Sequence, residues 1–155
     1  MKPFIIYAEG VFQSKWLSKF INKLTLFGKT GKIERLVYLT FFFIKKELSI
    51  CPMFFFFEVL EKVRPVISLK IYKKKGRKVT TKTAMPIKLN TMDQYKKAIF
   101  WLRLSISVKE EKQLVSKIFQ EFYDTLILDA GNSLKKKKTY YKYAVLFKAT
   151  RKFKW

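Results

Sequence analysis

One stretch constrains the fold more than any other: Val63 to Leu89, VRPVISLKIYKKKGRKVTTKTAMPIKL. After Pro65 the chain alternates, with Ile67, Leu69 and Ile71 to one side and Ser68, Lys70 and Tyr72 to the other. A period of two is the mark of a strand. Cations then crowd a single glycine: Lys73, Lys74, Lys75, Gly76, Arg77 and Lys78. The chain returns through Thr80, Thr81, Lys82 and Thr83 to Met85, Ile87 and Leu89, a second β-prone run with Pro86 at its base. A glycine between two such runs predicts a hairpin. The apolar residues lie near its base, and the outer half is almost wholly cationic, so it cannot enter a core. An isolated two-stranded ribbon is marginal in water. The outer half is therefore either a solvated loop or an arm that orders against an anionic partner.

Charge decides what that partner is. Lys and Arg number 34 against 11 Asp and Glu, a net +23 over 155 residues. Self-repulsion of that size favours a polyanion as partner. Yet 49% of the residues are hydrophobic and sixteen are Phe, too apolar a mixture for a disordered basic tail. A single domain with a real core and an external charge is expected.

Catalytic chemistry has little to work with. There is no His, and Cys51 is the one cysteine, which removes His-based acid–base sets, disulfide frameworks and structural zinc. Glu58/Glu61 and Glu121/Asp124 are spaced to share a divalent ion. In so cationic a chain they read instead as solvated ion-pair partners. A nuclease built on them is a remote alternative, and no cofactor or small-molecule substrate is expected. The longest apolar runs, Leu36 to Ile44 and Leu48 to Phe57, fall far short of the ~20 residues of a membrane span. The amino-terminal residues resemble neither a secretory signal nor an Arg-rich transit peptide.

Around the ribbon, periodicity predicts about six helices in a mainly α fold, with the ribbon between the third and fourth. Residues 1–14 read as an arm and 15–155 as an RNA-binding helical domain. Ser14 caps a first helix from Lys15 to about Phe27, with Leu17, Phe20, Ile21 and Leu24 inward and Lys15, Lys19 and Lys23 in a stripe. A second helix, Thr30 to Glu47, opens with Lys29, Lys32 and Arg35. The third covers Met53 to Arg64. Its Phe54 to Phe57 point in every direction, which requires burial from two sides or docking on a neighbour. Thr91 to Gln94 has capping-box spacing for a fourth helix to about Ser105, carrying Lys96, Lys97 and Arg103 outward. Ser107 to Glu110 repeats that spacing before a fifth helix ended by Gly131. The sixth, from about Ser133, begins with Lys135, Lys136, Lys137 and Lys138. Cations oppose the partial positive charge of a helix amino end, so that turn should fray unless a phosphate settles there.

Polyanion binding is the function these features favour. Lysines can follow phosphates while Tyr72, Tyr140, Tyr141, Phe153 or Trp155 stack on bases, which suits single-stranded and structured RNA better than duplex DNA. The alternative is a basic amphipathic protein on an anionic membrane surface.

Specific words then match a family. Lys19-Phe20-Ile21-Asn22, Gly28-Lys29, Val37-Tyr38, Leu60 to Pro65, Met85 to Leu89, Ala98-Ile99-Phe100-Trp101-Leu102, and the closing run of Lys135 to Lys137, Tyr141, Ala144, Lys148, Ala149 and Phe153-Lys154-Trp155 resemble, in order and spacing, the universal small-subunit ribosomal protein seven (bacterial S-seven). The resemblance implies a helical domain with a protruding ribbon. It implies binding to the 3′ major (head) domain of small-subunit ribosomal RNA, a ribbon near messenger RNA and exit-site transfer RNA, and neighbouring ribosomal proteins as partners. The RNA-binding set would be Lys15, Lys19, Lys29, Lys32, Arg35, Lys70, Lys73, Lys74, Lys75, Arg77, Lys78, Lys82, Lys96, Lys97, Arg103, Lys135 to Lys138, Tyr141, Lys148, Arg151, Lys154 and Trp155. The chain departs from the family at the ribbon tip, where only Gly76 remains, and at Asp93, Gln94, Phe100 and Tyr141. An excess of Phe, Lys and Ile points to an AT-rich organelle genome, with a mitochondrial ribosome expected first and a plastid second.

Overall fold

A computed structural model describes residues 11–25, 27–75 and 80–149, with side chains throughout except at 71–84 and 147–149. Its elements are α1 (Lys15–Leu24), α2 (Thr30–Leu48), α3 (Pro52–Val63), β1 (Ile67–Lys75), β2 (Thr80–Lys88), α4 (Thr91–Val108), α5 (Leu114–Leu126) and α6 (Asn132–Ala149). This is the expected fold of six helices with one ribbon between α3 and α4. None of the helices is long and apolar enough to cross a membrane among the described residues.

The core is aromatic at its centre. Phe20, Phe56 and Phe122 come from α1, α3 and α5, with ring centroids 5.5 to 6.0 Å apart, and Phe41 of α2 joins at 6.1 Å. Around them close Leu17, Ile44, Leu60, Ile99, Leu102, Ile106 and Ile118, all essentially inaccessible. The four consecutive phenylalanines divide as helix geometry requires: Phe55 and Phe56 are buried, Phe57 is half-buried, and Phe54 stays 59% exposed.

Local chemistry explains the boundaries. Ser14 caps α1 by accepting from Leu17 N–H at 3.4 Å, and Pro52 opens α3 at a position where its missing N–H costs nothing. α1 stops at Leu24, a turn earlier than expected, because Thr25 turns extended and Phe27 and Gly28 both take positive φ. α4 runs a turn further than expected. Ser105 donates to Trp101 O at 2.8 Å and Ser107 to Leu104 O at 3.0 Å, so Ser107 closes α4 rather than capping the next helix. α5 accordingly begins at Leu114 behind Gln113. At α4's start, Thr91 lies inside the helix after Asn90, and Gln94 reaches back to Leu89 O at 3.0 Å. Gly131 does not end α5 either. It is the entry to α6, its carbonyl accepting from Lys135 N–H at 3.1 Å, and a Cβ there would overlap the Thr125 hydroxyl.

The ribbon is antiparallel, with Ile67 opposite Lys88 and, at its far end, Lys75 opposite Thr80. Nine residues per strand make it about 30 Å long. Leu69 faces Pro86, whereas Met85 and Ile87 sit opposite Lys70 and Ser68.

Of the amino-terminal arm, residues 11–14 are described. Phe12 lays its ring edge-on against Tyr38 and Phe41, at 6.0 and 5.7 Å.

Candidate nucleic-acid interface

The ribbon does not stand alone. Two successive tyrosines of α6 hold the base of β1. Tyr141 OH accepts from Val66 N–H at 2.9 Å, and Tyr140 OH accepts from Leu69 N–H at 2.6 Å. Lys97 of α4 completes the joint, donating to Tyr140 OH at 2.5 Å and Ser68 Oγ at 3.0 Å while lying 3.8 Å from the Tyr140 ring centre. Burial alone would raise the Tyr140 phenol; the donors Lys97, Ser68 and the Leu69 N–H outweigh it and hold the group below its ordinary pKa. The answer to the ribbon's marginal stability is thus an anchor on α6, built from residues assigned to RNA or to base stacking on sequence grounds.

Outside that anchor, the register sets Lys73 directly opposite Lys82. A like-charge cross-strand pair is destabilising in a bare sheet. Lys74 and Lys75 follow on β1, and Lys70 is exposed nearer the base. The loop residues Arg77 and Lys78, and Arg151, Lys154 and Trp155 of the tail, lie outside the described residues, as do the side chains of Lys73, Lys74, Lys75, Lys82 and Lys148.

A second cationic group spans α1 and α4. The Lys19 ammonium sits 4.7 Å from the Trp16 ring centre. Desolvation, together with repulsion from Lys15 and Lys96, pushes its pKa down. Lys15 and Lys19 lie one turn apart on α1, and the charge of Lys96 on α4 reaches Lys19. Lys96 is partly neutralised by Asp93 at 2.9 Å, and Arg103 is half-buried further along α4. Lys29, Lys32 and Arg35 stay exposed at the amino end of α2, without an ion pair among the described residues.

Between α4 and α6 runs a groove of about 410 Å³ lined by Trp101, Tyr140, Tyr143, Lys135 and Lys136. Rings and ammonium groups in one cleft suit a base and its phosphate. Neither Tyr143 nor Trp101 was assigned to RNA on sequence grounds. The available signal was helical spacing, since Tyr143 follows Lys136 by seven residues and Tyr140 by three and so shares their face.

The four lysines at the start of α6 have three different fates. Lys135 and Lys138 are exposed. Lys136 is partly buried, and desolvation lowers its pKa. Lys137 donates to the carbonyl of Lys62 at the end of α3, at 2.7 Å; its pKa is lowered by desolvation and by the neighbouring Arg64 charge. Lys62 in turn donates to Leu126 O at the end of α5, at 2.9 Å, and pairs with Asp129 at 2.6 Å. Cations thus close two helix carboxyl ends.

A carboxylate of the chain itself serves α6's amino end. Glu121, wholly buried on α5, accepts from Ser133 N–H at 2.9 Å. Its other oxygen lies 3.7 Å from Lys109 Nζ, a charge contact too long for a hydrogen bond, and makes none. Lys109 bonds instead to Asp124. The Glu121/Asp124 pair is therefore an internal ion-pair site, not a solvated one, and it supplies the negative charge that α6's first turn needs.

A scan of family models matches residues 2–148 to ribosomal protein S7p/S5e. The chain belongs to the ribosomal protein S7 family. Members of this family are structural, non-enzymatic parts of the small ribosomal subunit. Among relatives, the small ribosomal subunit protein uS7m of Reclinomonas americana is 31% identical, over 97% of this chain and 91% of its own length. The uS7 of Sulfurimonas denitrificans is 29% identical over 97% and 94%, and that of Mesoplasma florum 27% over 97% and 94%. An S7-family chain needs no active site, and among the described residues no three acids or cysteines converge to hold a metal.

Proposed function

We infer that this S7-family chain binds the 3′ major (head) domain of small-subunit ribosomal RNA in a mitochondrial ribosome and helps that head fold. Its ribbon lies beside messenger RNA and the departing transfer RNA, and neighbouring ribosomal proteins complete its surroundings. The register of Lys73 against Lys82 carries the reading: an anchored ribbon with lysine positions opposite one another across its strands is satisfied by phosphate. The Lys15/Lys19/Lys96 group and the α4–α6 groove offer further phosphate and base contacts. A mitochondrial setting is supported by the Phe- and Lys-rich composition and by the similarity to a protein named uS7m. The membrane-surface alternative gains nothing from the fold, because the apolar faces of α1 and α5 are spent in the core.

Salt dependence tests the RNA contact. Neutralising about eight phosphates gives a log–log slope of affinity on salt of about −6 to −7 for a head-domain RNA fragment. Replacing Lys135 and Lys138 by Gln flattens the slope, while Lys137→Gln, whose ammonium is already committed, changes it little. A slope unmoved by Lys73, Lys82, Lys135 and Lys138 together would sink the reading. So would a native protein that fails to travel with small subunits on a gradient, and co-sedimentation with mitochondrial particles checks the setting.

A further inference from the structure

Opposite duties meet along α2. Its 19 residues make a rod of about 28 Å, with Lys29, Lys32 and Arg35 at the amino end and a groove of about 670 Å³ against α5 at the other. Phe43 from α2 and Val115, Phe119 and Tyr123 from α5 line that groove, with Glu47 and Glu111 on it. Phe119 and Tyr123 stack with centroids 6.2 Å apart, and Phe43 remains 43% exposed. The volume is in the range of a well-formed ligand cleft.

Charge is what sets this groove apart. In a chain with 34 cations, none of the residues lining it is Lys or Arg. Glu110 and Lys112 flank it in an adjoining shallow recess, and Lys45 and Lys46 of α2 do not line it. Glu47, Glu110 and Glu111 make no ion pair among the described residues. Glu110 and Glu111 precede the amino end of α5, where a negative charge is locally favourable. Glu47, near the carboxyl end of α2, has no such duty. Phosphate is a poor occupant of a cleft with carboxylates and no cation, whereas a cationic segment bearing apolar side chains complements it.

We propose that the groove between the carboxyl half of α2 and α5 docks a Lys/Arg-rich protein segment of a neighbouring small-subunit protein, inserting an apolar side chain between Phe43 and Phe119 while its cations meet Glu47 and Glu111. The proposal rests on the ribosomal reading, and its test separates the two. The chain carries a photo-reactive phenylalanine at Ser116, which lines the groove, and is assembled into small subunits. The cross-linked peptide is then sequenced, and incorporation into the particle is measured in parallel.

The expected product is a peptide of another ribosomal protein that is both cationic and apolar. Its yield falls at least about tenfold in a Glu47→Lys/Glu111→Lys variant, while incorporation is unchanged and affinity for head-domain RNA is equal or higher. A cross-link to ribosomal RNA, to a neutral or acidic segment, or to nothing overturns the proposal. So does a yield unmoved by the charge reversal. Loss of incorporation in the otherwise unaltered chain would instead count against the ribosomal reading itself.

Discussion

Removing the Glu121 carboxylate should loosen α6 from its first turn. In Glu121→Ala, the Ser133 N–H loses a charge-assisted hydrogen bond of 2.9 Å, and the group is buried, so no water replaces it. That term is about 1.5–3 kcal/mol. Lys109 loses one of its two carboxylate neighbours, and the truncated methylenes leave a cavity beside Thr125 and Ser133. Breaking a buried charge site in this way totals about 3–5 kcal/mol. For a chain of this length each kcal/mol shifts Tm by about 2–4 °C, so Glu121→Ala should melt roughly 10 °C lower by circular dichroism. Glu121→Gln keeps an acceptor but not the charge. It should lose about 1–2 kcal/mol, chiefly the interaction with the helix amino end. Glu121→Met fills the volume without accepting, and should fall nearer to Ala than to Gln. Hydrogen exchange should show the loss first at the amides of Leu134 to Lys137. If Glu121→Ala melts within 2 °C of the parent (about 1 kcal/mol or less), with those amides equally protected, the inter-helix cap is not what holds α6.

Tyr140→Phe and Tyr141→Phe should each weaken the ribbon's anchorage by about 1 kcal/mol, seen as faster exchange of the Leu69 and Val66 amides respectively, with the melting of the helical body little changed; equal exchange in the variants would refute the anchor. Gly131→Ala forces a methyl toward the Thr125 hydroxyl, with Thr125 Cα only 3.0 Å away. It should cost about 1–3 kcal/mol by urea denaturation, and Thr125→Ala should relieve part of it. Without RNA, stability should rise from neutral pH toward pH 10. Lys19, Lys136 and Lys137 hold folded-state pKa values below 10.5, so the unfolded chain binds more protons in that window, and the depressed Tyr140 phenol acts in the same direction. Above pH 10 the raised Tyr95 phenol, hydrogen-bonded to Glu61, opposes them. Denaturation midpoints that fall steadily between pH 7 and 10 would contradict this.

What the sequence made legible was periodicity. Leu17, Phe20 and Ile21, then Ile99, Leu102 and Ile106, then Ile118 and Phe122 went where a 3.6-residue repeat puts them, and the ribbon announced itself by alternation. Charges were harder to place, because a cation's duty depends on which carbonyl or ring the fold brings within reach. Lys97, Lys62 and Lys137 look like any other lysine in the chain, yet all three tie elements together. Glu121 and Asp124 look like a solvated pair until packing puts one of them at zero exposure. The serines of α4 misled for a related reason: Ser107 with Glu110 has the spacing of a cap, but its hydroxyl found a carbonyl already inside the preceding helix.

The joint at the ribbon's foot has a mechanical consequence. Adjacent hydroxyls of Tyr140 and Tyr141 grip the arm, and the same helix is pinned a dozen ångströms away by a carboxylate at Ser133 (about eight residues at 1.5 Å each). Torque on the arm is not absorbed by α6 sliding or turning. It has to be taken up as bending within the two strands, which makes the ribbon a spring clamped at one end.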